Sequence, residues 1–177
     1  MTLGLAIFEE GVVVKSKEWL FEPILDWRGN LRFDYSAAAA EIHGKTLQEM
    51  REHGQSCAEV YREVRDFLGS TWSHPIVSHN APFDSEVWST FLYVLAQWDR
   101  NHQGMALVSE LLTGPWLDTK RIAQARFSPP YDIPDLKLDT LCRYFEIGAQ
   151  GDVHGAEQDA ILAGELYFKL RPLKVPA

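Results

Sequence analysis

Pro75-Ile76-Val77-Ser78-His79-Asn80-Ala81-Pro82-Phe83-Asp84 runs from a short apolar segment through a polar turn to the head of a helix. A brief apolar run bounded by turn residues is what a buried strand requires. Val87, Trp88, Phe91 and Leu95 follow Asp84 at offsets of three, four, seven and eleven, which places them on one face of a helix starting near Asp84. A strand that passes through a single turn into a helix fits a single α/β or α+β domain, in which strands and helices bury a common core.

Upstream, residues 57–68 form a second amphipathic pattern, with Val60, Val64, Phe67 and Leu68 in helical register and Gly69 as the stop. Two shorter helical patterns, 36–42 and 46–53, flank Ile42-His43-Gly44, and 23–35 is a polar connector containing Gly29-Asn30. Before it, Leu3, Leu5 and Ile7 alternate with smaller residues, Glu10-Gly11 supplies a turn, and Val12-Val13-Val14 opens a second β-prone run reaching Phe21. Residues 2–21 therefore read as a hairpin. Downstream, 99–104 closes the central helix and Trp116-Leu117-Asp118 reads as a last short strand. Helices follow at 119–127, 136–145 and 155–170, separated by a proline-rich loop and by a loop at 148–153. No internal repeat or low-complexity tract interrupts this order.

The chain has 177 residues, 46% of them hydrophobic, enough for one domain, 1–177, with its own core. Its net charge of −8 includes no basic stripe of the kind that coats duplex DNA. Acidity does not exclude an enzyme that grips only a strand end, because bound divalent cations supply positive charge locally. Cys57 and Cys142 lie in no C-x-x-C pattern, so reduced thiols in a cytoplasmic protein are expected rather than a zinc knuckle or a disulfide framework. No stretch approaches the roughly 20 apolar residues that span a bilayer, and no basic leader precedes the first strand, so no membrane association is expected.

Three residues carry candidate chemistry. Asp84 stands above the apolar stripe of its helix, where it either caps the first turn or aims a carboxylate at a cleft. Asp159 repeats the arrangement, with Leu162, Leu166 and Leu170 following at plus three, seven and eleven. A carboxylate so placed calls for a cation, which can be a metal ion or a basic side chain. His154 would face away from Asp159 on a continuous helix, about 140° around the axis. On a loop ahead of a helix beginning at 155 or 156, it can reach the same cleft.

Taken together, these segments resemble the DEDDh (DnaQ-like) 3′-to-5′ exonucleases, the family that includes the proofreading subunit of bacterial replicative polymerases. Ile42-His43-Gly44 resembles the family's I-H-G element, His79-Asn80-Ala81-Pro82-Phe83-Asp84 its second exonuclease motif, and His154-Gly155-Ala156-Glu157-Gln158-Asp159 its H-x4-D third motif. Short motifs singly are weak, but three in register along a matching element order form a specific signal. The resemblance covers essentially the whole chain and implies a ribonuclease H-like fold, a mixed central sheet flanked by helices. It implies that Asp84 and Asp159 ligate Mg²⁺ or Mn²⁺, that His154 is the general base, and that His43, Asn80 and Phe83 hold the terminal nucleotides of single-stranded DNA or RNA. Two divalent ions about 3.5–4 Å apart suit hydrolysis of a phosphodiester, and a neutral imidazole suits proton transfer at physiological pH.

One departure matters. The family's first motif, D-x-E on a central strand ahead of the hairpin, is absent from the first 30 residues, and Glu9 and Glu10 sit at the hairpin turn instead. Two ions carry +4, whereas Asp84, Asp159 and one phosphodiester offer about −3, so at least one ion should bind weakly. The expectation is an exonuclease whose first central strand lies upstream of Met1 or is missing from this sequence. The alternative is a non-catalytic nucleic-acid-binding or scaffolding relative that completes its sheet as a homodimer or with a partner's strand. A zinc hydrolase has little support, since no H-E-x-x-H spacing occurs.

Overall fold

A computed structural model of the chain describes residues 1–25, 28–31, 44–69, 71–98, 111–127, 133–148 and 155–171, with backbone alone at 97 and 98. The described residues form a mixed α/β structure with six helices and two small sheets. The expected helix at 36–42 and the I-H-G histidine, His43, lie outside them.

The hairpin pairs β1 (Thr2–Glu9) with β2 (Val12–Leu20) antiparallel, from Thr2↔Leu20 to Glu9↔Val12, with a register shift between Ile7 and Phe8. Its two-residue turn has positive φ at both Glu10 (52°) and Gly11 (90°), the combination whose twist matches that of the strands. The second sheet pairs β3 (Ile76–Ser78) with β4 (Trp116–Asp118) in parallel, Val77 opposite Leu117. The two sheets share no strand, so the described residues contain no continuous central sheet.

Local sequence fixes most helix ends. In α1 (Leu47–His53), Thr46 accepts the Glu49 N–H at 3.1 Å. In α2 (Cys57–Leu68), Ser56 and Glu59 form a reciprocal capping box, and Gly69 closes the helix in the left-handed region at φ 76°. The central helix, α3 (Ala81–Trp98), begins three residues before Asp84, earlier than the apolar pattern indicates. Pro82 fits there because the first turn has no use for its missing N–H. Asp118 caps α4 (Thr119–Arg126), which is followed by α5 (Leu138–Tyr144) and α6 (Ala156–Leu170).

Burial is concentrated in two clusters. Trp19 and Phe21 from the hairpin end pack with Val60, Val64 and Phe67 of α2 and with Trp88, Phe91 and Leu95 of α3. Ala123, Ile133, Leu141, Leu166 and Leu170 form the other. Each large apolar side chain so buried contributes about 1.5–3 kcal/mol against exposure. Helix α6 packs on the hairpin, on β3 and on α4 and α5, and contributes Leu166 and Leu170 to the second cluster. Its approach to β1 is close enough to require glycine: a Cβ on Gly4 would lie 2.0 Å from the backbone carbonyl of Ala156.

Both thiols are free, with burial pushing Cys57 up to about 11 and Cys142 up to about 12, so they are protonated at neutral pH. Among the described residues, no helix is long and apolar enough to cross a membrane.

Candidate functional site

The parallel strands β3 and β4 end side by side, and a set of polar side chains gathers at their carboxyl ends. Ser78 is the last residue of β3, and its hydroxyl donates to Oδ2 of Asp84 in the first turn of α3. Asp84 is half-buried, and burial pushes its carboxyl above the usual carboxylate range. Its bonds to Ser78 and to its own backbone N–H oppose that rise, and the charge of Asp118 reinforces it.

Asn80 precedes α3 at φ 80°, a left-handed conformation that asparagine tolerates better than most residues. Its carbonyl accepts the Phe83 N–H at 2.9 Å, and its own N–H donates to Oδ1 of Asp118 at 3.2 Å. The same Asp118 oxygen accepts the N–H groups of Lys120 at 2.9 Å and Arg121 at 3.3 Å. Asp118 is thus committed to fastening backbone, and its side chain is only 10% exposed. Phe83, by contrast, is 62% exposed beside Asp84, an apolar ring presented to solvent.

His79 is half-buried, with Nδ1 2.9 Å from Oγ1 of Thr119 and Nε2 3.0 Å from the carbonyl oxygen of Leu136. Burial lowers its pKa below 6.5, while the Leu136 carbonyl and the charges of Asp118 and Asp84 resist that shift and Lys120 adds to it. A neutral ring with hydrogen on Nε2 satisfies both contacts, donating to Leu136 and accepting from the Thr119 hydroxyl. The sign for stability follows from proton counting. Between the lowered folded value and 6.5 the unfolded chain binds more protons, so this contribution is complete above 6.5 and is lost as pH falls towards the folded value. Urea midpoints should therefore fall between pH 7 and pH 5.5 by more in the wild type than in His79→Gln. Equal falls would show that His79 carries no such linkage.

Asp159 stands in the first turn of α6, half-buried, with its N–H on the Gly155 carbonyl at 2.9 Å. The hairpin holds this end of α6. Glu18 of β2 accepts the Glu157 N–H at 3.2 Å, a carboxylate at a helix N-terminus, and the Ser16 hydroxyl donates to Oε1 of Glu157 at 2.6 Å. Helix α6 packs on β3, the strand that leads into the turn carrying Asp84.

Of the residues expected at the site, Asn80, Phe83 and Asp84 share one turn, Asp159 heads the neighbouring helix, and His43 and His154 lie outside the described residues. The earlier start of α3 puts Asn80 at the helix boundary, the place the sequence left open for Asp84 as a cap. Among the described residues, no three His, Cys, Asp or Glu side chains converge to hold a metal ion. Asp84 and Asp159 alone therefore do not make a two-ion site, since about −2 of charge faces +4.

Three participants escaped the sequence reading: Ser78, Asp118 and Thr119. An Asp between a strand and a helix is an N-cap signal, so the capping role of Asp118 was open to view. Its bond to Asn80, 38 residues away, has no local signature. Compared with models of known protein families and with curated proteins, the sequence matches neither.

Proposed function

We propose that this chain is a DEDDh-type 3′-to-5′ exonuclease with a ribonuclease H-like fold, which removes nucleoside monophosphates from the 3′ end of single-stranded DNA or RNA. The observation that carries the reading is the 78–84 turn. The segment resembling the second exonuclease motif is also where a parallel strand ends, a half-buried acid is set against a strand hydroxyl, and an aromatic ring is left exposed. Ligands of α/β folds gather at the carboxyl ends of strands, and unpaired bases stack on exposed aromatic rings with little regard to sequence.

The divided sheet supports the same reading. In the DEDDh family a central strand that brings the D-x-E acids joins the hairpin to the parallel pair, and among the described residues the two sheets, both packed by α6, share no strand. Asp84 and Asp159 would then be two of four carboxylates holding Mg²⁺ or Mn²⁺, with His154 as general base and His43, Asn80 and Phe83 around the terminal nucleotides. Without that strand the ligand set falls short, and this favours a second reading, a nucleic-acid-binding relative without catalysis, completed by a homodimer or a partner strand.

A nuclease assay with Mn²⁺ separates the two. The chain as given is compared, on 5′-labelled single-stranded DNA and RNA, with a version carrying the reading frame that precedes Met1. Stepwise release of mononucleotides by the longer version is expected. A longer version that includes D-x-E, binds the oligonucleotide and leaves it intact would sink the catalytic reading and leave the binding one.

A further inference from the structure

Thr119 is fully buried, with 0% of its surface exposed, yet it is polar and sits where three segments meet. Its hydroxyl lies 2.9 Å from Nδ1 of His79 and 3.3 Å from the carbonyl oxygen of Ser78, both on the turn that carries Asn80, Phe83 and Asp84. The other nitrogen of the His79 ring reaches the Leu136 carbonyl. Leu136 in turn packs into the cluster built on Leu141, Leu166 and Leu170, so it belongs with α5 and α6. A rigid five-membered ring thus spans the gap between the Asp84 turn and the segment packed against the helix of Asp159.

We propose that His79 and Thr119 are positioning residues whose hydrogen bonds fix the Asn80–Asp84 turn against α4 and the Leu136 segment, and so hold Asp84 in register with the helix that carries Asp159. This inference rests on the 78–84 turn being the nucleic-acid site of the proposed nuclease. The geometry explains why histidine and threonine stand here. The ring donates at one nitrogen and accepts at the other, a pairing that an ionised carboxylate, which only accepts, cannot make. The buried hydroxyl has a single hydrogen, and with hydrogen on Nε2 of the ring it goes to Nδ1 at 2.9 Å rather than to the Ser78 carbonyl at 3.3 Å. Asp118, accepting from the Asn80 N–H, is a second fastening on the same turn.

The test compares Thr119→Val, which keeps the shape and removes the hydroxyl, with Thr119→Ser, which keeps the hydroxyl and removes a methyl. Binding of a fluorescein-labelled single-stranded DNA octamer is measured by anisotropy in EDTA at fixed salt, well below each variant's melting midpoint. Thr119→Val should weaken binding about five- to tenfold, the effect of one buried hydrogen bond, and Thr119→Ser should restore it to within about twofold. A purely structural threonine predicts otherwise, with both variants melting lower and both binding as the wild type does. Nitrogen-15 spectra of the wild type add a readout that needs no variant, since His79 should be a neutral ring with hydrogen on Nε2. The opposite tautomer, or octamer binding that Thr119→Val leaves unchanged, would overturn the clasp alone. Failure of the wild type to bind the octamer would instead remove the site reading, and the clasp with it.

Discussion

Replacing Gly4 with alanine is expected to destabilise the protein by about 3 kcal/mol, the upper part of the range for forced overpacking. The added Cβ would lie 2.0 Å from the carbonyl carbon and oxygen of Ala156 and 2.4 Å from the nitrogen of Glu157. These are backbone atoms at the start of α6, so no rotamer change relieves the clash, and the helix end has to lift from the hairpin. Lifting it also breaks the bonds of Glu157 to Glu18 and Ser16. For a chain of this size, about 3 kcal/mol corresponds to a fall in melting midpoint of about 6–12 °C. Gly164→Ala is the informative control. There the new Cβ meets the ring of Phe8 at 2.2 Å, a side chain that can turn aside, so a smaller loss is expected. Gly69→Ala meets nothing within 4 Å and should cost only about 1 kcal/mol, for its positive φ. A Gly4→Ala protein that melts with the wild type would mean that α6 does not rest on β1.

Asp84→Asn should move stability and activity in opposite directions. Burial disfavours the ionised carboxyl of Asp84, and its folded pKa is raised. The stability contributed by its protonated form is therefore present at low pH and lost as pH rises through the folded value. An asparagine has no charge to desolvate and still offers an oxygen to the Ser78 hydroxyl. The variant should melt above the wild type at pH 7, and the gain should vanish by about pH 2.5, below the unfolded value, where aspartate is protonated in both states. In the completed nuclease the same change should lower turnover at least about 100-fold, since the carboxylate is proposed to hold a cation against the scissile phosphate. Asp159→Ala should abolish Mn²⁺-dependent release of mononucleotides altogether. Greater stability with lost activity marks an acid kept for function rather than for folding. Asp84→Asn with undiminished turnover, or Asp159→Ala with the same, would remove that residue from the site.

The sequence made much of the local architecture legible, because local signals settle it. The bounds of α2 follow from its apolar spacing between Ser56 and Gly69, and the hairpin from alternation broken by Glu10-Gly11. The start of α3 was misplaced because the large side chains of the apolar stripe begin only at Val87, while Ala81, buried but small, and Pro82 carry little helical signal. The division into two sheets was hidden because strand pairing is a non-local choice, such as β3 with β4 across 40 residues of sequence. The same reason applies to the site. Asn80, Phe83 and Asp84 are neighbours in the chain and could be read together, whereas Asp118, Thr119 and the Leu136 carbonyl reach them only through the fold.

The seating of residues 156–170 on residues 2–20 has a consequence for biosynthesis. A lone two-stranded hairpin is at best marginally stable in water, and one face of this one is covered by the last helix described. At about 5–20 residues per second, the ribosome needs roughly 7–27 s to make the intervening chain. During that interval the strand face carrying Gly4 and Phe8, which ends against Ala156, Gly164 and Phe168, awaits its cover, so the nascent protein should be a client of ribosome-associated chaperones.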